Sequence, residues 1–250
     1  MHRFSLDGQV AMVTGSNKGL GQAMAVALAE AGADIVGVNR HPASDTCAAV
    51  KALGRRFFDV QAELDKDSPG EIVARALGEA GQLDILVNNA GTIRRAPALE
   101  FSEADWDEVI DVNLKAAFFL AQQVARHLVE RQATGRIVNI ASVLSFQGGI
   151  RVPSYTASKS GLLGLTRLLA NEWAAYGITV NAIAPGYMAT DNTQALREDE
   201  QRSAEILGRI PAGRWGTPDD LAGAVVFLCS PAAAYVNGHA LAVDGGWLAR

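Results

Sequence analysis

The chain has 250 residues, of which 49% are hydrophobic and 20% charged, with a formal net charge of −5 at pH 7. That length suits one large domain with a sizeable core, and the acidic balance leaves no nucleic-acid footprint. Cys47 and Cys229 lie far apart in sequence, which excludes a disulfide framework or a zinc spacing and points to a reducing, cytoplasmic setting; no signal-peptide pattern stands in residues 1–8.

Apolar runs and helical periods alternate along the chain. Residues 10–13 read as a strand leading into Gly15, and 22–31 as an Ala-rich helix closed by Gly32. A strand at 35–38, a helix at 45–53 closed by Gly54, and a strand at 56–62 follow. Next come a helix at 71–80, a strand at 85–87 and a long helical pattern over 103–130. A strand at 136–141, a long helix at 155–176 and a strand at 179–183 complete the middle. The stretch 188–214 is polar and irregular, and is expected to cover the substrate. Residues 221–243 carry no Asp, Glu, Lys or Arg and are long enough to span a bilayer. Ser230-Pro231 and Asn237-Gly238-His239 interrupt them, so they read as a buried helix, a turn and a strand at 241–243. The alternation predicts a single α/β domain over residues 1–250, a doubly wound parallel sheet with helices on both faces.

Ligands bind such sheets outside the carboxyl ends of the strands. Gly15, Asn88, Ser142 and Pro185 each fall just after or at such an end. Thr14-Gly15-Ser16-Asn17-Lys18-Gly19-Leu20-Gly21 follows the first strand and opens a helix. Glycines let backbone approach a pyrophosphate, and a helix N-terminus favours negative charge. An acidic residue at the end of the second strand would bind the ribose 2′-hydroxyl of NAD, whereas an arginine accommodates the 2′-phosphate of NADP. Asn39 and Arg40 stand there, with Lys18 as a second cation. NADP(H) is the favoured expectation and NAD(H) the alternative.

Tyr155 and Lys159 are four residues apart, hence on one helix face. A phenol titrates near ~10, and a neighbouring ammonium is expected to pull it down. Tyr155 then serves as general acid toward a carbonyl oxygen, with Ser142 donating a hydrogen bond to that oxygen.

The glycine loop, Asn88-Asn89-Ala90-Gly91, Asn113, Ser142, Tyr155, Lys159 and Pro185-Gly186, in this order, resemble the short-chain dehydrogenase/reductase family over essentially the whole chain. The resemblance implies a Rossmann-type fold and reversible hydride transfer by a nicotinamide cofactor. It implies that Asn113 holds a water linking Lys159 to solvent, and that Lys159 binds the nicotinamide ribose. Thr190 would bond the carboxamide, Glu63-Leu64 would flank the adenine, and Asn89, Ala90 and Gly91 would border the cofactor. The segments 145–155, 184–190, 199–207, 209–216 and 242–250 further resemble the branch acting on 2-dehydro-3-deoxy-D-gluconate and 2-deoxy-D-gluconate. Arg40 departs from the aliphatic residue expected in that branch. The family also implies a homotetramer, and the helices at 103–130 and 155–176 are the expected packing surfaces.

A sugar acid needs a cation for its carboxylate, and arginine's planar fork suits it. Arg94 and Arg95 follow Gly91; Arg151 and Gln147 lie between Ser142 and Tyr155; Arg202 lies in the covering segment. Arg94, Gln147, Arg151 and Arg202 are taken as candidate substrate ligands, and Trp215 and Trp247 as candidate walls. No metal-ligand spacing is seen, and neither nucleic acid nor membrane is expected as a partner. A ketoreductase, a polyol or gluconate dehydrogenase, and a catalytically silent nucleotide sensor remain as alternatives.

Overall fold

The computed structural model describes residues 2–250. Among these residues, seven strands form one parallel sheet: β1 (Val10–Thr14), β2 (Asp34–Asn39), β3 (Phe57–Gln61), β4 (Ile85–Asn88), β5 (Gly135–Ile140), β6 (Ile178–Pro185) and β7 (Ala240–Val243). Their order, β3-β2-β1-β4-β5-β6-β7, reverses direction between β1 and β4. That switch point opens a crevice above the carboxyl ends of β1 and β4.

The inner strands are buried on both faces, and successive side chains feed opposite cores. Ala11 and Val13 point into a core with Met24, Leu28, Val225 and Leu228. Val10 and Met12 point into the other, with Ile72, Leu86, Leu120, Leu128 and Ile137. Truncating a fully buried leucine such as Leu86 in such a core costs about 2–5 kcal/mol.

Among the described residues, nine α-helices cover the faces and rim: α1 (Gly19–Glu30), α2 (Ser44–Ala52), α3 (Pro69–Ala80), α4 (Glu103–Ile110), α5 (Ala116–Glu130), α6 (Pro153–Trp173), α7 (Gln194–Glu198), α8 (Glu200–Arg209) and α9 (Ala222–Cys229). α1 starts at Gly19, three residues before the expected start, because its glycines sit where the helix meets the loop rather than in its middle. The pattern over 103–130 is not one regular helix. A π-helical turn, Asp111–Lys115, joins α4 to α5 and carries Asn113. The turn spans only five residues between two α-helical segments, too short a stretch for periodicity to single out. The polar stretch 188–214 is more regular than expected. α8 docks through Ile206 and Ile210 on Val143 and Trp247, a tertiary contact that outweighs its polar composition. Residues 221–243 form a helix, a turn and an edge strand, and no helix among the described residues is long and apolar enough to cross a membrane.

Candidate active site

The glycine loop is built by residues from three strand ends. Gly15 and Gly19 adopt φ of +66° and +58°, the left-handed region that glycine favours. From the end of β4, Asn89 Nδ2 donates to the carbonyls of Thr14 (2.9 Å) and Gly15 (3.1 Å). The amides of Asn89 and Ala90 donate to Thr14 Oγ1 at 3.0 and 2.9 Å. From the other side, Thr46 Oγ1 donates to the Ser16 carbonyl at 2.7 Å. Asn89 therefore shapes the loop, and its amide is not turned outward to border a ligand.

Asn39 is placed differently from its expected role. It is 3% exposed, and its Nδ2 donates to Ser16 Oγ at 3.1 Å behind the loop. Arg40 is exposed at the tip of β2. Lys18 is half of an ion pair with Asp191, which joins the glycine loop to the covering segment. Glu63, exposed, pairs with Lys66 at 2.6 Å, and half-buried Leu64 packs against the second core. Asn17 and Leu20 lie on the loop and first turn, with Leu20 packed on the first core. Gly186 follows β6, where a Cβ would come within 2.7 Å of Asp244 Cα, and Pro185 pairs with Val243. Thr190 N-caps the turn Asp191–Thr193.

The four catalytic candidates converge at the ends of β4 and β5. Asn113 is 1% exposed; its Oδ1 accepts from the Thr92 amide (2.8 Å), and its Nδ2 donates to the Thr92 carbonyl (2.9 Å) and Ser158 Oγ (3.2 Å). Across Gly91 lies Lys159: a Cβ on that glycine would be 3.2 Å from Asn113 Oδ1 and 3.7 Å from Lys159 Nζ. Lys159 Nζ donates to the Ile140 carbonyl at 2.6 Å and sits 5.7 Å from the centre of the Tyr155 ring. Ser142 Oγ accepts from the Leu144 amide at 3.1 Å, which leaves its own hydrogen free to donate, and it lies near enough to Tyr155 to lower the phenol.

The phenol does not titrate in the expected direction. Burial pushes Tyr155 up, and the Ser142 hydrogen bond and the nearby Arg95 charge pull back only part of that rise. Lys159 is not among the groups that lower it. Its own burial brings the ammonium down to about 8, which weakens it as a fixed positive charge.

This lysine makes stability depend on pH. Its folded value lies below the unfolded 10.5, so the unfolded chain binds more protons between about pH 8 and 10.5, and stability rises with pH across that window. Below it, the buried ammonium opposes folding by about 3 kcal/mol at most. Lys159→Met is therefore expected to abolish turnover yet raise the Tm of the cofactor-free protein at pH 7, with the gain fading above pH ~10. A Tm lowered equally at both pH values would refute the sign.

The arginines separate by their partners. Arg94 is held by Glu108 (2.6 Å) and Asp105 (3.5 Å) of α4. Arg202 pairs with Glu205 at 2.9 Å, one turn along α8. Both are correspondingly poor candidates for a substrate carboxylate. Arg151 is exposed, with φ of +64°, and its carbonyl accepts from Ala96. Gln147 Oε1 accepts from Arg209, whose guanidinium lies 4.0 Å from the Trp247 ring. Arg95, one residue beyond the candidate Arg94, is the cation whose field reaches Tyr155; it also donates to the Asn192 carbonyl at 2.9 Å. No sequence signal separates Arg95 from Arg94, because the difference is which of them α4 engages. Trp215 and Trp247 flank Tyr187, with ring centres 5.7 and 4.6 Å away.

A glycine loop at the switch point of a parallel sheet, with a Ser-Tyr-Lys cluster beside it, defines a nucleotide-dependent oxidoreductase. The family model described as enoyl-(acyl carrier protein) reductase matches residues 15–248. The chain belongs to the short-chain dehydrogenase/reductase family. It is 63% identical over 248 residues to 2-dehydro-3-deoxy-D-gluconate 5-dehydrogenase of Escherichia coli, covering 99% of this chain and 98% of that protein. A crystal structure from Agrobacterium tumefaciens, described as a candidate 2-deoxy-D-gluconate 3-dehydrogenase with bound NADP, is 57% identical with a TM-score of 0.95 and full coverage (100%) of both chains. A gluconate 5-dehydrogenase from Burkholderia cenocepacia, in complex with NADP and tartrate, is 40% identical with a TM-score of 0.95, covering 100% of this chain and 98% of that one.

Proposed function

We propose that this chain transfers hydride reversibly between NADP(H) and a keto or hydroxy group of a deoxy sugar acid of the 2-dehydro-3-deoxy-D-gluconate or 2-deoxy-D-gluconate type. The observation that carries the reading is the Tyr155 ring 5.7 Å from the buried Lys159 Nζ, with Ser142 and Arg95 both near enough to lower its phenol. The residues at the crevice fit a dinucleotide. No side chain caps the first turn of α1, and a Cβ at Gly19 would project into open space where the loop needs room for a phosphate. Gly15, Asn17, Gly19, Leu20 and Gly21 would hold the pyrophosphate, and Arg40 the 2′-phosphate, with Asn39 supporting Ser16 from behind. Lys159 and Thr190 would hold the nicotinamide half.

The bound cofactor supplies or takes up the hydride. Tyr155 gives its proton to the carbonyl oxygen in reduction and takes one back in oxidation. Ser142 donates a hydrogen bond to that oxygen, where charge develops. An oxygen gaining negative charge becomes a stronger base, so it can take the proton of a phenol that burial holds above its ordinary value. Asn113, clamped to Thr92 and Ser158, keeps the π turn facing Lys159 for a proton relay. Arg95 supplies a guanidinium for the carboxylate, which favours a small acid over an acyl thioester. We include in this reading a cytoplasmic homotetramer. Its support is two free cysteines and a groove between α5 and α6 with Val129, Leu168 and Tyr176 exposed along it.

The test is cofactor oxidation with 2,5-diketo-3-deoxy-D-gluconate, with 5-ketogluconate as comparison, run with NADPH and NADH. Faster turnover of the deoxy acid, with NADPH preferred, is expected. Arg40→Leu should raise KM for NADPH about tenfold and leave NADH nearly unchanged. A parent chain that prefers NADH, or an Arg40→Leu variant with unaltered KM for NADPH, overturns the cofactor assignment. Turnover only of 5-ketogluconate replaces the deoxy acid by gluconate.

A further inference from the structure

We propose that Ser145 is a positioning residue for this reaction, holding Ser142 in register with Lys159 so that the Ser142 hydroxyl meets Tyr155. The proposal rests on the catalytic reading above and adds a residue to it.

Residues 140–145 leave β5 and turn once, as the 3-10 turn Val143–Ser145. Two bonds tie this segment to α6, and both end on Lys159. Lys159 Nζ donates to the Ile140 carbonyl at 2.6 Å, and Ser145 Oγ donates to the Lys159 carbonyl at 2.7 Å. They grip the segment on either side of Ser142. The Ser145 hydroxyl also accepts from the Ser142 amide at 3.3 Å. One hydroxyl thus runs from the backbone of one catalytic residue to the backbone of another. The Lys159 carbonyl lies inside α6 and keeps a lone pair beyond the helix ladder, which Ser145 occupies.

The two ties differ in what they demand of Lys159. The Ile140 tie uses the ammonium, the same group that would hold the nicotinamide ribose. Turning that ammonium to a ribose loosens the tie. The Ser145 tie uses the backbone carbonyl, so it persists whatever the ammonium does. Ser145 is therefore the bond that keeps Ser142 in place while the cofactor is bound. It is not a catalytic residue, since it reaches substrate only through Ser142. The groups that lower the phenol are Ser142 after β5 and Arg95 after β4, while Lys159, on the same helix, faces the ring at 5.7 Å without lowering it. Removing the Ser145 hydroxyl leaves Arg95 untouched and acts through Ser142.

The experiment compares Ser145→Ala and Ser145→Thr with the parent chain, using Tyr155→Phe as the spectroscopic blank. Tyrosinate ultraviolet absorbance is titrated in the cofactor-free protein, and the difference from the blank isolates the Tyr155 phenol. Ser145→Ala should move that titration to higher pH and lower kcat about tenfold, with KM held within about twofold. Ser145→Thr, which keeps the hydroxyl, should restore both. A parental titration and kcat in Ser145→Ala, a change confined to KM, or a Ser145→Thr variant as impaired as the alanine, overturns the proposal. If Ser145→Ala shows no folded thermal transition, Ser145→Cys, which keeps the size with a weak donor, is read by the same two criteria. The titration needs no substrate. A parent that titrates as described but turns over no sugar acid therefore removes the substrate reading and leaves this one standing.

Discussion

Tyr155→Phe is expected to lower kcat by about 10³-fold or more while leaving the Kd for NADPH within about twofold. The ring stays and only the oxygen goes, so the burial of the side chain and its packing beside Lys159 are retained. What is lost is the hydroxyl beside Ser142 that can pass a proton to a carbonyl oxygen. Without it, the oxygen would have to gain negative charge against a hydrogen bond from Ser142 alone. The raised phenol value adds a pH signature. In the oxidative direction Tyr155 must first lose its proton, so parental activity should climb with pH through neutrality and above. The residual activity of the variant should lack that dependence. Stopped-flow turnover over a pH series, with NADPH binding by fluorescence quenching, checks both. A variant within tenfold of the parent would remove Tyr155 from the chemistry.

Gly21→Ala is expected to cost about 100-fold or more in NADPH affinity and about 1–3 kcal/mol of stability. The added Cβ would sit 2.1 Å from the Gly15 carbonyl oxygen and 2.4 Å from Asn89 Nδ2. Neither neighbour can yield alone, because Asn89 Nδ2 is what holds the carbonyls of Thr14 and Gly15. Relief requires the loop to move away from α1, and the phosphate cradle moves with it. Gly78→Ala in α3 is the control, since a Cβ there meets nothing within 4 Å. That change should be neutral or mildly stabilising, as alanine is a better helix former by about 1 kcal/mol. Thermal melts with and without NADPH test the pair. Equal NADPH-induced Tm shifts in both variants would show that the loop tolerates the methyl group and that the close approach is not a requirement.

Much of the fold was legible in the sequence because its signals are local. Buried strands are short apolar runs, and Gly32 and Gly54 close helices where a residue must leave the helical region. The parallel, doubly wound sheet came with the alternation of strand and helix, whereas the order of its strands came only from the structure. The glycine loop could be read from the spacing of Gly15, Gly19 and Gly21, and the pairing of Tyr155 with Lys159 from four residues of helix. The π turn at Asn113 was not legible, since five residues are too few for a change of helical period to stand out. The helix α8 was not legible either, because a polar segment gains its order from Val143 and Trp247, which are distant in sequence.

The sequence by itself therefore determined the sheet, the rim on which the site lies, and the residue types available for hydride chemistry. Those follow from backbone conformational preferences and periods of two and 3.6, which neighbouring residues set among themselves. Only the tertiary structure decided which of these residues are available and in what state. Arg94 is neutralised by Glu108 while Arg95 is left to act on Tyr155. Asn39 turns inward to Ser16 while Arg40 stays in solvent. Burial raises the phenol that a neighbouring ammonium was expected to lower, and lowers the ammonium itself. Each of these depends on distances through space and on exclusion of water, and folding sets both by bringing together elements that lie tens of residues apart along the chain.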